Sequence, residues 1–207
     1  MIKHIEVRDV FAVNTYFMID DVTKSGFLID PGAQPKRILE TIRQNHWTIE
    51  RILLTHGHFD HTGAVSEISE VLDIPYSIHR DGECYLKDAR LNLSAYCERN
   101  VILPNADYFD DGNILSLRAN PAVTLEVIHV PGHTPDSVVF YDRADKVAFV
   151  GDTIFRDSPG TSRYPGGNEE ELYNSICYRV LTLPDDTILL SGHSEPTTVG
   201  RERPLYS

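Results

Sequence analysis

The sequence predicts an α/β protein, and two features of the 207-residue chain support this class. First, short apolar runs rich in β-branched and aromatic residues alternate with segments whose apolar residues recur at helical spacing. Second, several of these runs end directly in glycine, aspartate or histidine, which is typical of buried strands that end at the edge of a sheet. The 41% share of hydrophobic residues is large enough to form a full core.

The apolar runs predict the strands, and turn signals between them set their limits. Residues 11–19 are rich in β-branched and aromatic side chains, whereas Asp30-Pro31-Gly32 is a turn signal that ends the third run. The predicted strands cover residues 2–7, 10–19, 26–29, 49–54, 75–78, 114–117, 123–130, 138–141, 147–150 and 187–190.

Helical patterns lie between these runs. Pro35 opens the first helix, because proline is favoured at the first helical position. Asn168 caps a long helix whose acidic first turn suits the helix dipole. Prolines and glycines predict a loop over residues 156–168, and polar residues 91–100 predict an irregular connection that walls the site. The other predicted helices cover residues 62–72 and 81–87, and the capped helix covers 169–183.

The charge and cysteine content limit the partners and the compartment. The formal net charge is −12, which argues against nucleic acid and anionic membranes, because both require clustered Lys and Arg. The negative net charge does not exclude a small anionic substrate, since a few local arginines could hold it. Cys84, Cys97 and Cys177 are an odd, widely spaced set that fits reduced thiols in the cytoplasm. No apolar run is long enough to span a membrane, and the N-terminus lacks the apolar core of a signal peptide.

A histidine-rich stretch carries the chemistry. Residues 55–61 read Thr-His-Gly-His-Phe-Asp-His and follow the apolar run at Ile52 to Leu54. His56 and His58 are two apart and point the same way on an extended backbone. A single ion cannot easily take all four candidate ligands of so short a span. The stretch therefore predicts two neighbouring metals, one held by His56 and His58 and the other by Asp60 and His61.

Three later residues share the same setting, because each follows an apolar strand and lies beside a glycine: His133, Asp152 and His193. Strand ends meet at one edge of a sheet, so these side chains are expected to join the histidine cluster. Imidazole and carboxylate ligands suit zinc and also iron or manganese, and the lack of cysteine in the set argues against a closed structural zinc site. The remaining histidines lack this setting, so we expect them to be packing or surface residues: His4, His46, His79 and His129.

Together these motifs resemble the metallo-β-lactamase superfamily over nearly the whole chain. The resemblance also includes Asn14-Thr15-Tyr16-Phe17, Asp30-Pro31-Gly32, Pro131-Gly132-His133-Thr134-Pro135, Gly151-Asp152-Thr153-Ile154-Phe155 and Pro165-Gly166-Gly167. The tail Thr197-Thr198-Val199-Gly200-Arg201-Glu202 is similar to that of glyoxalase II-like members. Since the chain ends at Ser207, the resemblance predicts one domain over residues 1–207, without the C-terminal helical domain that binds glutathione in full-length glyoxalase II enzymes.

The resemblance implies a four-layer αββα sandwich of two mixed β-sheets with a two-metal site at its edge. It assigns His56, His58 and His133 to the first metal and Asp60, His61 and His193 to the second, with Asp152 bridging both. The implied catalytic residues are Asp60 and Asp152. The two ions, zinc by expectation and iron or manganese as alternatives, would lower the pKa of a bridging water, and the resulting hydroxide would attack a thioester or ester carbonyl.

Three departures from the family pattern affect the substrate. Members of the family often have a basic residue at the position of Thr161. They usually have glycine at the position of Asp136, and glycine also usually follows the last histidine, where this chain has Ser194. The candidates for binding an anionic substrate are Arg156, Arg163, Tyr164 and Arg201.

The resemblance implies a glyoxalase II-like thioester hydrolase and leaves other activities of the same fold open. One alternative is a persulfide dioxygenase-like enzyme with a single iron, and another is a lactone or other ester hydrolase. A metal-binding module without catalysis is a further alternative. Antibiotic hydrolysis is disfavoured, because many β-lactamases of this fold carry cysteine where this chain has Asp152. The tRNA-processing branch is also disfavoured, because it is longer and needs a basic surface.

Overall fold

The computed structural model describes residues 1–206. Within this range a first mixed sheet has six strands, with β1 to β3 antiparallel and β3 to β6 parallel. Its strands lie side by side in chain order: β1 (Ile2–Arg8), β2 (Ala12–Ile19), β3 (Ser25–Ile29), β4 (Thr48–Leu53), β5 (Tyr76–His79) and β6 (Asp107–Phe109).

A second six-stranded mixed sheet lies in the later part of the described chain, with β10 and β13 as its parallel pair. In chain order its strands are β7 (Ile114–Ser116), β8 (Thr124–His129), β9 (Val138–Asp142), β10 (Val147–Gly151), β13 (Ile188–Ser191) and β14 (Thr197–Thr198). Their spatial order is β14-β13-β10-β9-β8-β7. Two further short strands, β11 (Ile154–Phe155) and β12 (Ser158–Pro159), form a separate small hairpin.

Helices cover the outer faces of the two sheets. The α-helices are α1 (Pro35–Gln44), α2 (Phe59–Thr62), α3 (Val65–Leu72), α4 (Glu83–Lys87), α5 (Glu169–Ser175) and α6 (Val199–Glu202). The helix α5 continues as a π-helical turn at Ile176–Val180, and 3₁₀ turns lie at Arg80–Gly82, Ser94–Cys97 and Arg203–Tyr206. In residues 1–206 the structure has no helix with the length and apolar character that a membrane crossing needs.

Neighbouring side chains of a strand lie on opposite faces of its sheet and so belong to different apolar clusters. On β2, Phe17 packs in the cluster that contains Ile38 of α1, whereas Tyr16 packs in the cluster that contains Phe149 of β10. Successive side chains of a strand point to opposite faces, so each sheet contributes to two apolar layers. A third cluster places Ala148 and Val150 of β10 against α5. The architecture is therefore two mixed sheets face to face with helices outside, which confirms the predicted αββα class.

Several predicted element limits were wrong, because pairing and tertiary contacts override local pattern. The helix predicted over residues 62–72 is two helices, since α2 already begins at Phe59 and ends before Gly63. The last long helix ends at Val180 rather than at residue 183. The strands β6 and β14 were not predicted, because neither Asp107–Phe109 nor Thr197–Thr198 forms an apolar run. The β11–β12 hairpin reaches into the loop predicted at residues 156–168.

Strand direction explains why one edge of the sandwich carries the site. The strands β4 and β5 are parallel, as are β10 and β13, and β8 runs in the direction of β10 because each is antiparallel to β9. The carboxyl ends of β8, β10 and β13 consequently face one edge of the second sheet. The segment after β4 of the first sheet reaches the same edge, because His58 lies beside His133 and His61 beside His193, and such edges are where sites of open α/β sheets form.

Candidate metal centre

Three imidazoles converge at the end of β4. The Nε2 atom of His56 lies 3.1 Å from Nδ1 of His58, and the Nε2 atom of His133 lies 3.0 Å from the same Nδ1. All three side chains are buried. Gly57 permits this arrangement, because a Cβ atom there would lie 2.4 Å from Cβ of Tyr85.

A second group of ligand atoms lies beside the first. The Nε2 atom of His193 is 3.2 Å from Asp60 Oδ2 and 3.3 Å from Nε2 of His61. Asp152 contacts both groups, since its Oδ1 lies 3.3 Å from His61 Nε2 and its Oδ2 lies 3.3 Å from His193 Nε2 and 3.8 Å from His133 Nε2. The structure thus brings together all seven candidate ligands named from the sequence.

The donor set fits two divalent cations. A tetrahedral ion with bonds of about 2.0–2.1 Å holds ligand atoms about 3.3–3.4 Å apart, close to the separations of 3.0–3.3 Å between the converging imidazole nitrogens. Protons cannot satisfy three nitrogens that face one point. In addition, Asp152 Oδ1 is buried without a hydrogen-bond partner, which a cation would correct.

Electrostatics differ between the two groups. Burial, followed by repulsion from His133, lowers the pKa of His58 to about 3, so this imidazole is neutral and its lone pair is available. Burial also opposes a charge on His193, but Asp152 and Asp60 outweigh it and raise its pKa to about 10. The second group therefore has excess negative charge that attracts a cation, whether a proton or a metal ion.

Further contacts fix the orientation of the ligands. Asp30 Oδ2 lies 2.9 Å from Nδ1 of His61 and accepts a hydrogen bond from the Thr55 hydroxyl at 2.6 Å, while Asp30 Oδ1 accepts from the Thr55 amide. The Thr55 hydroxyl oxygen is 3.1 Å from Nδ1 of His56. One buried carboxylate thus orients ligands of both groups, the role typical of partners behind metal-bound histidines. In the sequence, Asp30 is recognisable only as part of the turn at residues 30–32.

Backbone carbonyls orient two other ligands. The Nδ1 atom of His133 lies 2.6 Å from the Thr161 carbonyl oxygen, and Nδ1 of His193 lies 2.6 Å from that of Ala12. Neither carbonyl leaves a signal in the sequence, because any residue type supplies this oxygen. Thr161, one of the three departures noted in the sequence, therefore supports the site through its backbone.

We expect Asp30→Asn to weaken metal binding about 10- to 100-fold, as loss of a partner behind a ligand usually does. In asparagine an NH2 group replaces one carboxylate oxygen, and this group cannot accept the hydrogen bonds that Thr55 and His61 donate to that oxygen. Asparagine still tolerates the φ of 50° at this position. Competition with a chromogenic chelator measures the affinity. The matched control is Asp73→Asn, an exposed aspartate with φ of 53° at the end of α3. Equal metal affinity in both variants would contradict this role.

The four candidate substrate residues lie in different surroundings. The Tyr164 ring is 5.6 Å from the His58 ring and lines the cleft beside the ligands. Arg163 lines a neighbouring cleft. Arg201 pairs with Asp157 at 2.9 Å, and Arg156 Nε lies 3.8 Å from the same carboxylate. Neither Arg156 nor Arg201 lines the cleft next to the ligands.

The other sequence departures and two of the remaining histidines lie around the ligands. Asp136 is fully buried near Gly57, and burial raises its pKa to about 7. The Ser194 hydroxyl is 2.7 Å from the Ser191 hydroxyl. The rings of His79 and His129 stack at 4.1 Å, and His129 Nε2 lies 2.7 Å from the carbonyl oxygen of Pro135 in the His133 loop.

The ligands open onto a cleft of about 400 Å³, a size typical of small-molecule sites. Five of the seven ligands line it, namely His58, Asp60, His133, Asp152 and His193. Apolar and aromatic side chains form much of the remaining lining: Phe11, Ala12, Phe59, Leu93, Phe155 and Tyr164. The two ligand groups therefore face a largely apolar cleft that a small molecule can enter.

Comparison with known protein families gives one match over most of the chain. The model of the metallo-beta-lactamase superfamily matches residues 8–193. A Bacillus subtilis protein named probable metallo-hydrolase YqgX is 38% identical over 191 residues, which cover 92% of this chain and 89% of that protein. The Haemophilus influenzae hydroxyacylglutathione hydrolase GloC is 33% identical over 193 residues, covering 90% and 88%.

Solved structures agree with this match. The B3 metallo-beta-lactamase BLEG-1 superposes with a TM-score of 0.92 at 33% identity and covers 100% of both chains. TTHA1623, solved in a di-iron-bound form, superposes with a TM-score of 0.84 at 31% identity, covering 97% of this chain and 96% of its own.

Proposed function

The chain belongs to the metallo-beta-lactamase superfamily, and from this we propose that it is a binuclear metal-dependent hydrolase of thioesters, similar to glyoxalase II. The observation that carries the proposal is the convergence of seven histidine and aspartate side chains in two adjoining groups joined by Asp152. The similarity to GloC supports the thioester as substrate.

In this proposal His56, His58 and His133 would hold one divalent ion and Asp60, His61 and His193 would hold the other, with Asp152 lying within reach of both groups. When bound, the two ions supply Lewis acidity that lowers the pKa of a water molecule and polarises the substrate carbonyl. Imidazole nitrogens and carboxylate oxygens are suitable ligands for zinc, and they also bind iron and manganese. The di-iron form of TTHA1623 supports iron as the alternative.

The chain's own residues position the reactants. Asp60 Oδ2 faces His193 Nε2 and would hold the second ion together with it, which leaves the other oxygen of Asp60 to accept a proton from the attacking water in the cleft. Asp30 and the carbonyl of Thr161 keep His61 and His133 in place during turnover. Because a thiolate is a good leaving group, no dedicated general acid is needed beside the scissile bond.

The substrate is a small molecule, and an anionic group on it would have Arg163 as partner. Arg163 is exposed and lines the cleft of about 580 Å³ that shares Phe155 and Thr161 with the metal-side cleft. Arg156 and Arg201 are already paired with Asp157, so they contribute less to such binding. Tyr164 contacts the substrate from the wall beside His58.

The test combines metal content with two activity assays on the purified protein. We expect about two metal ions per chain and hydrolysis of S-lactoylglutathione or of a simple acyl thioester, measured by thiol release. One iron per chain together with oxygen uptake on a glutathione persulfide would instead establish the dioxygenase alternative. Turnover of the β-lactam nitrocefin without thiol release would establish a β-lactamase, the class in which BLEG-1 is named. Either result would overturn the thioesterase proposal.

A further inference from the structure

An apolar groove extends from the metal-side cleft. We call it the aromatic groove, and its volume is about 330 Å³. Three large side chains on its walls are strongly exposed, with Tyr96 at 71%, Phe11 at 49% and Tyr164 at 44% of their full surface. Its lining consists of Phe11, Phe59, Leu93, Tyr96, Cys97, Tyr164 and Pro165. Exposed apolar side chains around a concave surface are typical of a ligand site.

The groove is continuous with the metal centre. Phe59 stands between the ligands His58 and Asp60 in the chain, and its ring lies 6.1 Å from the Phe11 ring. Four residues line both the aromatic groove and the metal-side cleft: Phe11, Phe59, Leu93 and Tyr164. A substrate whose carbonyl lies beside the ligands can therefore extend a chain into the groove.

The groove lacks charge. In residues 1–206 no lysine or arginine lines either the groove or the metal-side cleft, and the charged groups of the cleft are carboxylates and imidazoles. An anionic substituent would have no counter-charge in the groove, and a polar one would lose hydration without compensation. The lining therefore favours an uncharged aliphatic or aromatic chain, whose burial is favourable in proportion to its area.

A second cleft beside the ligands differs from the groove, because charged side chains contribute to its lining. The cleft of about 580 Å³ that contains Arg163 and Glu169 adjoins the ligands through Phe155 and Thr161. Small thiol carriers of cells are water-soluble molecules with charged groups, so this cleft, which offers the charges of Arg163 and Glu169, suits the thiol half of a thioester better than the uncharged groove does. The acyl half is then left for the aromatic groove.

We propose that the aromatic groove binds an apolar acyl chain, so that the enzyme prefers thioesters of longer aliphatic or aryl acids over acetyl thioesters. This inference rests on the proposed function and names its substrate class. The reaction is ordinary hydrolysis: the oxygen of water bonds to the acyl carbon and the C–S bond breaks. The products are a carboxylate, a thiol and one proton.

The test compares acetyl and hexanoyl thioesters of N-acetylcysteamine with the metal-loaded enzyme. Each buried methylene is worth about fourfold in affinity, so we expect kcat/KM to be at least tenfold higher for the hexanoyl compound. The variants Phe11→Ala and Tyr96→Ala should lower this hexanoyl-to-acetyl ratio at least threefold. The matched control is Tyr178→Ala, because Tyr178 is 70% exposed and lies outside the groove, on the turn after α5. This control should keep the wild-type ratio.

A binding measurement separates failure of the groove from failure of the proposed function. Calorimetric titration with hexanoate and acetate, the two acid products, needs no turnover. If neither thioester is hydrolysed but hexanoate binds at least tenfold more tightly in wild type than in Phe11→Ala, the groove stands and the thioesterase proposal fails. If both thioesters are hydrolysed with a ratio near one, the groove proposal is overturned and the thioesterase proposal stands. If neither thioester reacts and the two acids bind equally, both proposals fail.

Discussion

Replacing Asp152 with alanine is expected to remove at least one of the two metal ions and to lower kcat/KM for thioester hydrolysis about 10³-fold or more. The expectation follows from position, because Asp152 contacts His61, His193 and His133 and so belongs to both ligand groups. Each metal contributes several kcal/mol of transition-state stabilisation in enzymes of this kind, and tenfold in rate corresponds to about 1.4 kcal/mol. Elemental analysis after gel filtration and thiol-release kinetics measure the two effects.

The matched control is Asp145→Ala, an exposed aspartate in the turn between β9 and β10, which should keep full metal content and activity. Asp60→Ala and His58→Ala should resemble the Asp152 variant, because each removes a ligand from one group. Circular dichroism on all four variants separates loss of metal from loss of fold. Two ions per chain and activity within tenfold of wild type in the Asp152 variant would refute the assignment.

Gly132→Ala is expected to lower the free energy of unfolding by about 3 kcal/mol or more. Gly132 has φ of +133°, a conformation that side chains rarely adopt, and a Cβ atom there would lie 2.1 Å from the backbone nitrogen of Leu172. Strain at such a position costs on the order of 1–3 kcal/mol, and the clash forces the turn away from α5 in addition. Because His133 is the next residue, we also expect lower metal content. Urea unfolding followed by circular dichroism measures the change.

Gly112→Ala is the control that separates the two causes. Gly112 also has positive φ, +77°, but a Cβ atom there meets nothing within 4 Å. Its substitution should cost about 1–2 kcal/mol from the left-handed backbone alone. If the two variants lost the same stability, the close packing of Gly132 against α5 would contribute nothing, and backbone conformation alone would account for the loss.

The metal ligands were predictable because their chemistry and their setting are local. His56, His58, Asp60 and His61 lie within one short segment, and His133, Asp152 and His193 each follow an apolar run beside a glycine. Parallel strands bring such positions to one edge of a sheet, so the pattern alone predicted a shared site. The structure brings these atoms together, and the metals they hold stay a proposal.

The residues around the ligands were harder to predict. Asp30 reads as part of a turn in the sequence, yet its carboxylate contacts His61 and Thr55. Arg156 and Arg201 were predicted to bind an anionic substrate, but both form ion pairs with Asp157. The sequence does not show which ion-pair partner a side chain has in the folded protein. Phe11 was predicted inside a strand, whereas β2 begins only at Ala12 and Phe11 lies in the wall of the cleft.

The sequence by itself determined the α/β class, the alternation that gives two-sided sheets and the seven side chains able to bind metal, because these depend on residue type and spacing along the chain. Only the tertiary structure decided which nitrogen of each imidazole faces inward, which carboxylate stands behind His61 and which walls enclose the substrate. These features depend on atoms far apart in the chain, such as His193 Nδ1 and the carbonyl of Ala12, 181 residues away. The packing of the two sheets brings such atoms together, and no local pattern encodes that packing.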